Sequence, residues 1–328
     1  MAISISIIIN AFNRREFLKE SVNSAIHQSL PRSTYEIIVT KNFKDPTIDK
    51  FLIEQNVKVI DSGDVSQGRQ LYDAILLAEG GIILLLDYDD LFTEQKLERV
   101  KFYFESNPNV VYLHNEYKTM KDTLLNDVKI YKSLDRTLVV RGSDVKTIKK
   151  YLKYGIWSNN SSICFKRDFL LQYSMLLQQI KTRIDFFIFY SAAMSGKNLV
   201  FTNEKLTIYR IHESESHISD PNAIKDHRIM LYLRWKEVDL ILLNACKISQ
   251  IREIIDLDLF ITLLNLRILG EGENIDFNKV RYVVSYFLIH RNLYPFIVLS
   301  LFLVSKFSVS VSTNILVRLL STYYRNFY

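Results

Sequence analysis

Apolar runs of strand length alternate with stretches of helical period over the first third of the chain. Residues 3–9 alternate Ile and Ser and then turn continuously apolar, the pattern of a strand entering a core. Asn10-Ala11-Phe12-Asn13-Arg14 follows as a polar loop. Phe17, Leu18, Val22, Ala25 and Ile26 then share one helical face, and Pro31 ends that helix. Residues 36–39 predict a second strand, Pro46 opens a short helix, and residues 57–60 predict a third strand. Leu71, Ala74, Ile75 and Ala78 mark a helix from about residue 69 to 78, stopped by Gly80-Gly81. The run from Ile82 to Leu86 is the fourth strand, and it ends abruptly in Asp87-Tyr88-Asp89-Asp90. A helix over 93–106 and a strand over 110–114 extend the alternation. The pattern predicts an α/β fold with a mainly parallel sheet flanked by helices.

In such sheets the ligand site lies outside the carboxyl ends of the strands. That edge would collect Asn13, Asn42, Gly68, Arg69 and Asp87. Clustered acids repel one another unless a cation or proton neutralises them. Hard cations such as Mg²⁺ or Mn²⁺ prefer oxygen ligands and bridge to phosphates, so one reading of Asp87, Asp89 and Asp90 is a metal–diphosphate site. The other is a solvated acidic turn that caps the following helix. Gly68 beside Arg69 suits close approach of backbone and cation to a phosphate, although a lone glycine is more often a turn.

Taken in order, these pieces resemble the nucleotide-sugar half of a family 2 glycosyltransferase. The matching residues are Ile7 through Arg14 with Leu18 and Ser21–Gln28, Tyr35 through Val39, Gly68-Arg69 with Ala74, and Ala78 through Asp90. The resemblance implies the GT-A fold, a Rossmann-like sheet flanked by helices, and a divalent cation on the donor diphosphate. It assigns that cation to Asp87 and Asp89, with Asp89 the direct ligand, and has Asp90 orient the loop or the metal's water. Phe12, Asn13, Arg14, Asn42, Gly68, Arg69 and Asp87 would bind the nucleotide sugar. One departure stands out: the family places paired acids where this chain has Lys41-Asn42. Asn42 still offers a carbonyl and an amide to a base or ribose, whereas Lys41 accepts nothing. The Lys41-Asn42-Phe43 variant resembles one carried by some archaeal branches.

Further along, residues 155–165 resemble the family's strand beside the acceptor. Trp157 there has two readings, stacking on a sugar face or ordinary core. In Arg183-Ile184-Asp185 one acid opens an apolar helix. By itself Asp185 reads equally as a helix cap; the resemblance makes it the catalytic base, with Arg183 keeping it ionised. Tyr209-Arg210-Ile211-His212 matches a further family element, which brings Arg210 to the leaving diphosphate and His212 to the metal. His114 reads as structural, His217 as surface and Cys164 as inert packing. Residues 120–150, polar with few apolar anchors, read as a flap over the acceptor site.

The character changes at Pro221. Residues 224–245, 248–269 and 277–289 read as helices, and 292–305 and 307–317 as strongly apolar segments divided by Lys306. Neither reaches the length of a spanning helix. They fit helices lying in a membrane interface or buried against the others. The expected division is a GT-A domain over 1–220, with a nucleotide-sugar half (1–115) and an acceptor half (116–220), followed by a helical region over 221–328.

Composition narrows the functional classes. Of 328 residues, 48% are hydrophobic and 24% charged, as in a folded globular protein. The net charge of +6 does not mark a nucleic-acid binder. Two cysteines, Cys164 and Cys246, form no ligand spacing, and residues 3–9 are no cleavable leader. The expectation is a metal-dependent, inverting transferase at the cytoplasmic side of a membrane surface. It would move sugar from a nucleotide-diphosphate donor to a hydroxyl or phosphate of a glycan or lipid-linked acceptor. A non-catalytic glycan-binding subunit and a nucleotidyltransferase are the alternatives.

Overall fold

The computed structural model describes residues 3–63, 66–121, 124–126, 131–212, 221–272 and 294–325. Two compact units emerge, Met1–Arg210 and Ile211–Tyr328.

The first unit is α/β. Its strands are β1 (Ile5–Ala11), β2 (Tyr35–Lys41), β3 (Lys58–Asp61), β4 (Ile82–Asp87), β5 (Leu91–Phe92), β6 (Val110–Lys121), β7 (Leu124–Asn126), β8 (Leu138–Arg141), β9 (Ile163–Lys166) and β10 (Asn198–Ile211). Its helices are α1 (Leu18–Ile26), α2 (Pro46–Glu54), α3 (Gln67–Leu77), α4 (Lys96–Ser106), α5 (Val145–Tyr151), α6 (Arg167–Leu171), α7 (Ser174–Leu177) and α8 (Ile184–Met194).

The strand order is β3-β2-β1-β4-β9-β6-β10-β5, with β7 on β6 and β8 on β10. The strands β3, β2, β1 and β4 run parallel, and the ladder turns antiparallel from β4 to β9. Ile5, Ile7 and Ile9 of β1 and Ile37 and Val39 of β2 are buried in one core with Leu84 and Leu86 of β4. Burial on both faces is what covering helices impose on a parallel sheet. Register then aligns the strand ends: Asn10 lies beside both Thr40 and Asp87. The polar residues that close each apolar run therefore reach one edge together.

Local chemistry sets several boundaries. Asp45 caps α2 by accepting from the Thr47 and Ile48 backbone N–H groups, with Pro46 in the first turn. Ser66 caps α3, which begins at Gln67. At Gly80 a Cβ would meet the Ile5 backbone at 2.4 Å, so glycine lets the chain pass β1 before β4 starts.

Two expectations change. The 120–150 stretch is not a bare flap, because its described residues include the end of β6, β7, β8 and α5. Their anchors are cross-strand bonds and a few apolar residues, Val140, Val145 and Ile148, which a composition average conceals. Leu91-Phe92 forms a short strand on β10, so helix α4 starts later than the pattern suggests.

The second unit is helical: α9 (Pro221–Ala245), α10 (Ser249–Ile268), α11 (Tyr294–Ser305) and α12 (Val309–Arg325). Ile224, Phe260, Leu264, Val298 and Leu316 form its core. The two apolar segments are thus helices with one face in that core. No described helix is long and apolar enough to cross a membrane. The helix expected over 277–289 and His217 lie outside the described residues.

Candidate active site

The end of β4 carries three carboxylates with three different surroundings. Asp87 is partly buried, and the Asn160 amide donates to its two oxygens at 3.2 and 3.4 Å. Its backbone N–H donates to Ser161 Oγ at 2.9 Å. Burial, and then the charge of Asp89, push the Asp87 carboxyl up to about 7. Asp90 is 1% exposed and accepts the Arg210 backbone N–H at 2.9 Å. Burial, with Asp89 and Asp87 nearby, raises its pKa well above the usual carboxylate range. Asp90 therefore fixes the loop, while Asp87 and Asp89 are only partly buried.

Asp185 opens α8 as expected, behind Arg183 in the left-handed conformation (φ 56°). The Phe186 backbone N–H donates to Asp185 Oδ1 at 2.8 Å, and the Asn159 N–H also holds the carboxylate. Burial raises the Asp185 pKa; these donors and the Arg183 charge oppose the rise without cancelling it. Arg183 pulls the Asp185 pKa down, as expected of a neighbouring cation, but desolvation outweighs it. Asp185 is near enough to Asp87 for its charge to raise the pKa there.

The link between these acids is the turn Asn159-Asn160-Ser161. Asn159 (φ 69°) accepts from Ser161 through its side chain and starts a 3-10 turn, Asn160–Ser162. Lys96, fully buried at the start of α4, donates to the Ser161 carbonyl, to Asn115 Oδ1 at 3.0 Å and to Thr207 Oγ1 at 2.9 Å. Burial brings its pKa down to about 8. Neither Asn160 nor Lys96 was legible as a site residue. The polar run Asn159–Ser162 was the available signal for the first; the second has none in the local pattern.

A pocket beside Asp87 is lined by Asn10, Thr40, Gln67, Leu71, Asn160 and Ile184 together with β1 and β4 residues. Two carboxamide oxygens on its wall, Asn10 Oδ1 and Asn160 Oδ1, are buried without a hydrogen-bond partner. Buried acceptors are nearly always satisfied, so these two oxygens are open to donors that enter the pocket.

Other expected residues divide into those the fold gathers at this edge and those it employs elsewhere. Asn13 (φ 57°) and Asn42 pair with each other: the Asn13 N–H donates to Asn42 Oδ1 at 2.7 Å, and Asn42 Nδ2 donates to Asn13 Oδ1 at 2.6 Å. The Asn42 groups expected to read a base or ribose thus tie the loops after β1 and β2 together. Phe12 is half-buried in the same loop, and the Arg14 charge acts on the Tyr88 hydroxyl. Lys41 is buried, with Nζ 2.7 Å from Asp61 and 3.2 Å from Asp49. Burial depresses its pKa, but those two carboxylates win and raise it. Lys41 is a charge-compensated structural residue.

Three further residues have partners within the protein. A Cβ on Gly68 would fall 1.9 Å from the Leu177 carbonyl, and the Gly68 N–H donates to Ile180 O at 2.8 Å. The close approach it permits is to protein backbone. Arg69 engages Asp73 at 3.1 Å and Gln178 Oε1 at 2.9 Å, and Gln67 and Leu71 are the α3 residues that line the pocket. Arg210 is 7% exposed; Nε donates to the Asp89 carbonyl at 2.8 Å, and the guanidinium pairs with Glu20 at 2.6 Å and stacks on Phe17 at 4.1 Å. It grips the acidic loop.

Trp157, half-buried, packs edge-on against Phe186 at 5.8 Å and Tyr131 at 6.2 Å, next to Asp185. His114 is buried and donates Nε2–H to Ser158 O at 2.8 Å; desolvation lowers its pKa to about 4, as suits a structural histidine. Burial pushes the Cys164 thiol up to about 11, which keeps it unreactive. His212 belongs to the second unit. Among the described residues no group of three or more His, Cys, Asp or Glu side chains is arranged to hold a metal ion. Asp87 and Asp89 nevertheless offer oxygen ligands only, and their mutual repulsion is one that a hard cation such as Mg²⁺ or Mn²⁺ would relieve.

Against known proteins, residues 6–174 match the model of Glycosyl transferase family 2. An uncharacterized glycosyltransferase of Nostoc sp. is 25% identical over 238 residues, 68% of this chain and 69% of that protein. A poly(ribitol-phosphate) beta-glucosyltransferase of Bacillus spizizenii is 33% identical over 104 residues, 29% of this chain but 16% of that enzyme. Among solved structures, Staphylococcus aureus TarS 1-349 superposes with a TM-score of 0.59 at 14% identity, covering 99% of this chain and 92% of that one. The longer TarS structure is spanned over only 47% of its length. A mannosyltransferase of Pyrobaculum calidifontis, in complex with GDP-Man and Mn²⁺, superposes with a TM-score of 0.58 at 12% identity, covering 98% and 87%.

Proposed function

The chain belongs to glycosyl transferase family 2 and is a glycosyltransferase, and we propose that it moves sugar, with inversion, from a nucleotide-diphosphate sugar bound at the carboxyl edge of β1, β2 and β4. The observation that carries this reading is the pocket wall beside Asp87, where Asn10 and Asn160 hold two buried, partnerless acceptors. Hydroxyl and N–H groups of a nucleotide sugar are suitable donors for them. The first turn of α3, opening at Gln67 on this pocket, adds the positive end of a helix dipole for anionic groups.

Asp185 is the proposed base. Its raised pKa brings its proton affinity nearer to neutral pH, where transfer from an acceptor hydroxyl is better driven. The donors from Phe186 and Asn159 hold the carboxylate in place. Trp157, packed on Phe186, offers an aromatic face for the acceptor. Asp89 and Asp87 would hold a divalent cation, Mn²⁺ or Mg²⁺, which when bound neutralises charge on the departing diphosphate. Arg210 supports that function through the Asp89 backbone. The acceptor is proposed to be a hydroxyl or phosphate of a lipid-linked or surface glycan. Relatives that act on poly(ribitol-phosphate) are consistent with an anionic, repeating acceptor.

The test is donor binding and hydrolysis across a panel of nucleotide sugars, with Mn²⁺, Mg²⁺ or chelator. One nucleoside diphosphate should be released slowly and only with metal. Asp89→Ala should bind donor much more weakly, whereas Asp185→Ala should bind donor and lose transfer. Unchanged transfer in Asp185→Ala would reject its role as base.

A further inference from the structure

Helices α11 and α12 each bury one face in the core of the second unit and expose further large apolar side chains on another. On α11, Val298 and Phe302 are buried while Ile297 and Val304 are exposed. On α12, Leu316 is buried, yet Val311, Ile315 and Leu319, spaced four apart, are 49%, 40% and 44% exposed. Phe307, between the helices, is 93% exposed. A helix packed on a core normally turns charged and polar residues outward. Contiguous apolar surface of this kind marks an interaction site.

The charge of the same segment identifies the partner. Residues 292–328 contain Lys306, Arg318 and Arg325 and no Asp or Glu. Lys306 and Arg318 are exposed beside the apolar positions. We propose that this face of α11 and α12 docks on the surface of an anionic lipid bilayer. The apolar side chains enter the headgroup–acyl boundary and the cations meet lipid phosphates, two contributions that add in interfacial helices. Lys306, between the two helices, keeps them in the interface plane, since a charge at mid-bilayer is expensive. A second copy of the chain fits less well: a symmetric pairing opposes the same cations, with no acid in the segment to neutralise them.

The test is flotation of the full chain with vesicles of phosphatidylcholine containing about one part in four phosphatidylglycerol. The chain should float with them and roughly tenfold less with phosphatidylcholine alone. Phe307→Asp with Val311→Asp should weaken binding at least about tenfold, while Met175→Asp, an exposed apolar position of the first unit, should not. If the aspartate pair unfolds, as seen by circular dichroism, Lys306→Glu with Arg318→Glu is read instead, with the same expected loss. No flotation with anionic vesicles, or equal flotation of a folded variant pair, overturns the proposal. A dimer by light scattering that the aspartate pair disperses, without vesicle binding, assigns the face to a second copy and also overturns it.

Discussion

The Asn160 carboxamide donates to both oxygens of Asp87 from 73 residues further along the chain. It is the one described side chain seen to offset the burial and the Asp89 charge that raise the Asp87 pKa. Removing it leaves Asp87 harder to ionise and free to rotate. A hydrogen bond to a charged group is worth about 1.5–3 kcal/mol, so Asn160→Ala should lower kcat/KM roughly 10- to 100-fold. Thermal stability should change little, because the donor serves an open site. Steady-state kinetics at saturating metal check this, and an unaltered kcat/KM would show that Asp87 is positioned without Asn160.

Gly68 and Gly81 give opposite expectations for the same substitution. A Cβ at Gly68 meets backbone oxygens of Leu177 and Ile180, whereas one at Gly81 meets nothing within 4 Å. Gly68→Ala should lower the unfolding free energy by about 3 kcal/mol or more, since carbonyls cannot step aside as a side-chain tip would. Gly81→Ala should stay within about 0.5 kcal/mol of the parent. Urea unfolding of both variants decides. A Gly68→Ala protein of parental stability that has lost donor affinity would return that glycine to the ligand site.

Those two glycines show where local pattern stops being informative. The run from Ile82 to Leu86, closed by acids, predicts β4 and its exposed end, because burial on two faces and a polar terminus are both written locally. The parallel order of the first strands follows from the same alternation. What Gly68 touches depends on a loop more than a hundred residues away, and no periodicity encodes it. Lys96 looks like any surface lysine at a helix start, yet β6, β10 and the Ser161 turn close over it. The contacts of Arg210 with Glu20 and the Asp89 carbonyl, likewise, are found only by folding.

Arg210 acts through the Asp89 backbone, and that makes a non-additive prediction. Nε of Arg210 bonds the Asp89 carbonyl, and its own N–H bonds Asp90. Arg210→Ala should weaken donor binding about tenfold by loosening the loop. In a double-mutant cycle, adding Arg210→Ala to Asp89→Ala should cost little more than Asp89→Ala alone, because both remove the same feature. Isothermal titration with the preferred nucleotide sugar measures each corner. Fully additive losses would place the guanidinium on the donor itself.

His114 predicts how stability depends on acidity. Desolvation lowers its pKa from 6.5 to about 4 in the folded protein. Between those values the unfolded chain binds a proton that the folded one refuses, so acid favours unfolding. The effect is absent above about pH 7.5, grows as pH falls through 6.5, and is complete below about 4. From pH 7.5 to 5.5 the wild type should lose about 1.4 kcal/mol through this residue. His114→Gln keeps a donor for the Ser158 carbonyl and carries no titrating group. The comparison is therefore the difference in urea-unfolding free energy between wild type and variant at the two pH values, in which all other titrations cancel. That difference should shift by about 1.4 kcal/mol in favour of the variant at pH 5.5. A difference that does not move with pH would mean that His114 takes up its proton as readily in the folded chain as in the unfolded one.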